Sequence, residues 1–187
     1  MFYRVVSAEA FSAERQFLWD LCYRATGSVV DADMLLRDSF TKAVERPLVN
    51  QEAGWRPQLA SAAAILAMDA LRHRKRRSYV GCWLPSPVET GAGASHGLRP
   101  STWPNGPRYD AVESGSMAFL MALEALDPGE RLMFLICDAF GVESHAAAAT
   151  LELTPATARS ALQQGRRKMQ TYDSTRQAPT ADVQPHT

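Results

Sequence analysis

Residues 127–169 read DPGERLMFLICDAFGVESHAAAATLELTPATARSALQQGRRKM, and their capping residues and prolines mark out a series of short helices. Asp127, Pro128 and Glu130 supply an N-cap, a proline at the first helical position and an acid at the third, ahead of the apolar run Leu132 to Ile136. A short Ala-rich helix follows from about Ser144 to Leu151, and another opens at Thr154-Pro155, again a capping residue followed by proline. Two short helices separated by about three residues make a helix-turn-helix pattern. On the last helix Ala158, Ala161, Leu162, Gly165 and Met169 fall at i, i+3, i+4, i+7 and i+11, which is one inward stripe of small residues. The opposite face presents Ala156, Ser160, Gln163, Gln164 and Arg167, with Thr157 and Arg159 near its edge. That set suits base edges and phosphates in a major groove, where glutamine pairs with adenine and arginine with guanine. Taken alone, the same pattern also fits an ordinary amphipathic surface helix.

Upstream, helical pattern resumes near Ser114 with Met117, Leu120, Met121 and Leu123. Before it, Leu84 to Ser114 holds Pro85, Pro87, Gly91, Gly93, Gly97, Pro100, Pro104, Gly106 and Pro107, a density of breakers that no helix or central strand accommodates. Such a stretch is too long for a structureless loop inside one domain, so it predicts two domains on a tether. From Ser12 to Arg77 apolar residues recur at helical spacing, as in Phe17, Leu18, Leu21 and Cys22, then Leu35, Leu36, Phe40 and Val44. Gly27 suits a helix end, Ser28 with Asp31 suits the next helix start, and Arg56-Pro57 opens a third helix running to about Arg74. The resulting division is all-α: 1–84 helical, 85–113 linker, 114–173 helical, and a polar, Pro-containing tail at 174–187 expected to be disordered.

The 187 residues are 46% hydrophobic and 21% charged, ordinary for a globular chain and unlike a collagenous, wholly disordered or membrane-embedded one. Twenty basic and twenty acidic side chains cancel, so any nucleic-acid contact must come from local clustering. Two clusters stand out. Arg72, Arg74, Lys75, Arg76 and Arg77 follow an amphipathic helix, and Arg159, Arg166, Arg167 and Lys168 lie in the last helix of the helix-turn-helix pattern. The first run alone also fits a solvated helix end; together the two favour phosphate binding. Cys22, Cys82 and Cys137 lack any C-x-x-C spacing and are odd in number, which suits a reducing cytoplasm. No segment has the length of a membrane span or the form of a signal peptide. His73, His96, His145 and His186 form no metal or catalytic motif, and no nucleotide loop is present, so the sequence predicts a non-enzymatic protein without cofactor or metal.

At Tyr79-Val80-Gly81-Cys82-Trp83-Leu84-Pro85-Ser86-Pro87-Val88 the sequence resembles the Y-V-G-P-W-L-P-E-P-V signature of one subgroup of extracytoplasmic-function (ECF) sigma factors. The resemblance runs on at Ala25-Thr26-Gly27-Ser28 to Phe40, similar to M-L-G-S-x-x-D-A-E-D-x-x-Q-E-x-F, and at Ala67-Met68-Asp69-Ala70-Leu71-Arg72, similar to L-x-x-D-x-L-R-S. Glu113 to Phe140 resembles the run that opens the family's second domain, and Thr157-Ala158-Arg159-Ser160-Ala161-Leu162 resembles T-V-R-S-R-L of its recognition helix. Coverage is about Phe11 to Met169.

The resemblance implies a transcription initiation factor that binds core RNA polymerase. Its first domain, sigma region 2, would open the −10 element of promoter DNA, and its second, region 4, would read the −35 element. It places Asp31, Asp33, Leu35, Arg37 and Asp38 on the polymerase-binding surface and puts the Arg72–Arg77 run beside the −10-reading segment. An anti-sigma or other regulatory protein is a further implied partner; a membrane is not. The sequence departs from the family pattern at Met34, Arg37 and Asp38, and it carries Glu152 where a turn glycine is usual and Ala146 to Ala149 where isoleucine is usual. A thinner core and a different promoter preference are the expected results. The subgroup usually carries a C-terminal SnoaL-like domain, which this sequence is expected to lack. The alternative reading is a degenerate sigma-like adaptor or DNA-binding regulator that does not support initiation.

Overall fold

Ser28 and Gly27 turn the chain between its first two helices. α1 (Ala8–Thr26) ends at Gly27, whose φ of 65° is the left-handed conformation of a helix terminus, and the Ser28 hydroxyl accepts from the Asp31 amide to cap α2 (Val29–Val44). α3 (Arg56–Arg76) packs across both, with Leu59, Ala63, Ala64, Ala67 and Met68 buried against Leu18, Leu21 and Cys22 of α1 and Leu35, Leu36 and Ala43 of α2. The structure, a computed structural model, describes residues 8–45, 55–76, 84–88, 108–109 and 111–176. All regular structure among these residues is helical, matching the all-α expectation.

The second half comprises α4 (Ala111–Ser114), α5 (Met117–Leu123), α6 (Pro128–Phe134), α7 (Ser144–Thr150) and α8 (Pro155–Arg176). Pro128 opens α6 as its composition predicts, and the Glu130 carboxylate accepts from the Asp127 amide at 2.9 Å. α6 then widens into a π-helical turn, Leu135–Ala139, which the sequence pattern does not signal. α8 lies across α6 at Gly165, where an added Cβ would sit 3.2 Å from both the Glu130 carbonyl oxygen and the Phe134 Cβ. The small residue is there because the two backbones approach closely.

Two boundaries differ from the sequence reading. Tyr109, placed by that reading in the linker, is fully buried among Phe119, Phe134 and Tyr172. Its hydroxyl donates to Asp173 at 2.7 Å, and the amides of Arg108 and Tyr109 both donate to the Asp138 carbonyl. The same contact carries α8 to Arg176, because Asp173 is a buried partner and no longer part of a solvated end. Residues 89–107 and 177–187, where the flexible tether and disordered tail were expected, lie outside the described residues.

The two helical halves pack on one another with a shared core. Phe17 of α1 meets Phe140 edge-on at 5.5 Å, Ser61 of α3 donates to the Thr150 carbonyl at the end of α7, and Ser86 ties back to α1 through its amide to Gly27 and its carbonyl to the Tyr23 hydroxyl. They also exchange buried arginines. Arg24 of α1 donates to the Ser114 hydroxyl and lies over the Phe140 ring, while Arg131 of α6 donates to the Ala25 carbonyl at 3.0 Å.

Candidate nucleic-acid interface

The stripe Ala158, Leu162, Gly165 and Met169 is buried with Ala161 half-buried, and this fixes what α8 shows to solvent. Ala156, Thr157, Arg159, Ser160, Gln163, Gln164 and Arg167 are all exposed on the far side. The helix start is capped by Thr154, whose hydroxyl accepts from the Thr157 amide. The preceding turn contains Glu152 at φ 53°, a left-handed conformation that costs a residue with a Cβ about 1–2 kcal/mol relative to glycine. This is where the sequence lacked the expected turn glycine, and the chain makes the turn regardless; α7, with Ala147 and Ala148 buried, packs its short side chains beneath α8.

Two of the four cations of the Arg159–Lys168 cluster, Arg166 and Lys168, pair with acids of the α6 segment. Arg166 donates twice to Asp138, 2.9 Å from Nε and 2.6 Å from Nη2, a fork in which the Asp138 hydrogen bond raises the guanidinium pKa. Lys168 donates to Glu130 at 2.6 Å and lies 3.6 Å from Asp127, and the Glu130 hydrogen bond raises its pKa. Arg167 contacts Gln164 on the exposed face. An open groove of about 510 Å³ runs along this face between Ser144, Arg159, Gln163, Arg166, Arg167 and Gln170.

At the other cluster, Arg72 pairs with Asp69 at 3.1 Å on the surface, and Arg74 bonds to the Thr26 carbonyl and to Glu124. The side chains of Lys75 and Arg76 and the whole of Arg77 lie outside the described residues, as do Tyr79 to Trp83 of the ten-residue motif.

The α2 face assigned to polymerase divides. Arg37 and Asp38 are exposed, Asp31 is half-exposed, and Asp33 accepts from the Trp19 indole at 2.9 Å. Leu35 is 3% exposed and belongs to the core: its position on the helix points at α1 and α3. The large apolar residues that reach the surface of α2 are Val30, 76% exposed, Met34, 49% exposed, and Val44, 37% exposed at the helix end, none of them in the predicted set. Helical spacing held the signal, since 30, 34, 37, 38 and 41 fall on one side while 32, 35, 36, 39 and 43 are buried. The thiols of Cys22 and Cys137 are pushed up to about 12 and about 11 by burial, so both are protonated at neutral pH.

Residues 116–169, from the cap of α5 to the stripe residue Met169, match the family described as sigma-70, region 4. The chain is 31% identical over 159 residues to the ECF RNA polymerase sigma factor SigJ of Mycobacterium tuberculosis, across 84% of this chain and 48% of SigJ. The crystal structure of SigJ superposes with a TM-score of 0.61 at 26% identity, covering 87% of this chain and 53% of that one. The chain is similar to ECF sigma factors over most of its length.

A second ECF relative, the probable sigma factor SigI of the same organism, is 25% identical over 166 residues, 86% of this chain and 53% of SigI. The sigma factor RpoE of Bartonella quintana, solved with the anti-sigma factor NepR, shares the fold at 18% identity with a TM-score of 0.55, over 89% of this chain and 92% of RpoE. The chain spans about half the length of the SigJ and SigI sequences. Within the ECF sigma fold, α5 to α8 are the region 4 segment, and the exposed face of α8 lies inside the matched residues. No described helix is long and apolar enough to cross a membrane.

Proposed function

We propose that this chain is an alternative sigma factor of the Y-V-G-P-W-L-P-E-P-V subgroup. It binds core RNA polymerase through the α2 face, opens the −10 element with the α1–α3 half and reads the −35 element with α8. The carrying observation is the exposed row Ser160, Gln163, Gln164 and Arg167 on a helix whose other side is locked to α6, within a region 4 match. A helix so held offers donors and acceptors at one register, which base readout needs. The readers on α8 are Thr157, Arg159, Ser160, Gln163, Gln164 and Arg167; Arg166 and Lys168 set its angle while leaving charge near the backbone. Arg72, Arg74, Lys75, Arg76 and Arg77 contact promoter phosphates next to the melted strand. The structural kinship with RpoE in its NepR complex supports an anti-sigma partner. The role needs no catalytic residue, and its place is the cytoplasm, where the polymerase works.

Run-off transcription with purified core polymerase on a template pool randomised at the −35 and −10 positions tests the proposal. The expected result is discrete transcripts that require the chain. Polymerase or duplex binding without any transcript would establish the adaptor reading instead.

A further inference from the structure

α8 meets α6 close to one point. The backbones approach at Gly165, and the Arg166–Asp138 and Lys168–Glu130 pairs fall within one turn of it. A rod held near one point can still swing about it. At about 1.5 Å per residue Ser160 lies about 7.5 Å from Gly165, so a tilt of about 10° would move it by about 1 Å, more than the roughly 0.5 Å that a binding constellation tolerates. α7 supports the reading half of the helix; the far half has an attachment of its own. Asp173, about 12 Å beyond Gly165 at that rise, is buried and accepts from the Tyr109 hydroxyl at 2.7 Å and from Arg108 Nη2. The Arg108 guanidinium also lies over the Tyr109 ring, 5.5 Å from its centroid. Burial, and then the Asp173 hydrogen bond, raise the Tyr109 pKa, so the hydroxyl keeps the proton it donates.

The main chain of the same two residues is tied to Asp138. The Asp138 carbonyl, at the end of the π-helical turn where helix carbonyls lack intrahelical partners, accepts from the Arg108 amide at 2.7 Å and from the Tyr109 amide at 3.3 Å. Asp138 thus grips α8 with its carboxylate, through Arg166, and grips Arg108 and Tyr109 with its backbone. Arg108, Tyr109 and Asp173 all lie outside residues 116–169, the span matched to region 4. We propose that Arg108 and Tyr109 are positioning residues for promoter reading: they strap the far end of α8 to Asp138 and thereby fix the angle at which Ser160, Gln163, Gln164 and Arg167 meet the bases. The inference rests on the −35 role given to α8. Releasing the strap leaves every reader on the helix and blurs the register they share. Base contacts need that register and weaken, while phosphate contacts, which carry no sequence information, persist.

The test measures binding by the full chain at one salt concentration to two duplexes: the −35 duplex that the unsubstituted chain selects from a randomised pool, and a scrambled duplex of the same composition. Tyr109→Phe keeps the ring and deletes the hydroxyl. It should bind the selected duplex about fivefold more weakly and the scrambled duplex unchanged, so the ratio of the two affinities falls about fivefold, the scale of one hydrogen bond. Arg108→Gln, at a side chain 43% exposed, should lower the ratio about threefold, and it decides the question if Tyr109→Phe fails to fold. A merely structural role would lower the denaturation midpoint and leave the ratio of the folded protein unchanged; that result would overturn the proposal, as would equal weakening on both duplexes. If the unsubstituted chain selects no duplex, the −35 role of α8 fails; selection with an unaltered ratio in the folded variants defeats the strap alone.

Discussion

The end of α3 and the middle of α8 carry similar sets of cations and employ them differently. On α8, Arg166 and Lys168 bolt the helix to Asp138 and Glu130 of the α6 segment, so that Arg159 and Arg167 stay on an exposed face with Ser160, Gln163 and Gln164. At α3, Arg74 crosses to the other half of the molecule, whereas Arg72 pairs with Asp69 of its own helix. A run of cations in sequence thus mixes exposed charges with internal fastenings. What separates them is the acid that each can reach, and those acids lie far away in the chain: Asp138 is 28 residues from Arg166, and Glu124 is 50 from Arg74.

If α8 is held by packing and by its fastenings, disturbing either should cost stability first and DNA binding as a result. Gly165→Leu should have the largest effect, about 3 kcal/mol lost in denaturant unfolding, because a side chain would press on the Glu130 carbonyl and Phe134. Asp138→Asn comes next at about 2 kcal/mol, the range for hydrogen bonds to charged groups, with weaker −35 duplex binding although Asp138 faces inward. Equal stability in either variant would mean that the fastenings do not set the helix. In the opposite direction, Glu152→Gly should stabilise the chain by about 1 kcal/mol by removing the left-handed strain, read as a higher denaturant midpoint. Arg72→Gln should be smallest, under about 0.5 kcal/mol, since its pair with Asp69 is exposed. A large stability loss there would place Arg72 among the fastenings and erase the contrast with α8.

Most of the fold was legible because helix starts are written locally. Ser28, Asp127-Pro128 and Thr154-Pro155 each mark a helix within three residues, and the small-residue stripe of α8 announced its buried side. The sequence reading missed what depends on distant partners. Tyr109 sits in a Pro/Gly-rich context and is core only because Phe119, Phe134 and Tyr172 surround it. Arg24 and Arg131 are buried by a pairing of the two halves that no local pattern encodes. In the candidate site, helical period alone predicts which α8 residues are exposed, whereas the ion pairs of Arg166 and Lys168 depend on where Asp138 and Glu130 lie. On α2, Leu35 points into the core, and Val30, Met34 and Val44 are the exposed large apolar residues.

On the proposed function, the outward row of α8 reads sequence while Arg166 and Lys168 aim the helix. Selection from a duplex pool randomised at the −35 element, run in parallel with the unsubstituted chain and Gln164→Ala, tests this most directly. The predicted result is a changed preference at one or two base pairs, worth about 1–3 kcal/mol at each, with the remaining positions unaltered. A uniform loss of affinity across all sequences would contradict it, since the row would then touch only phosphates.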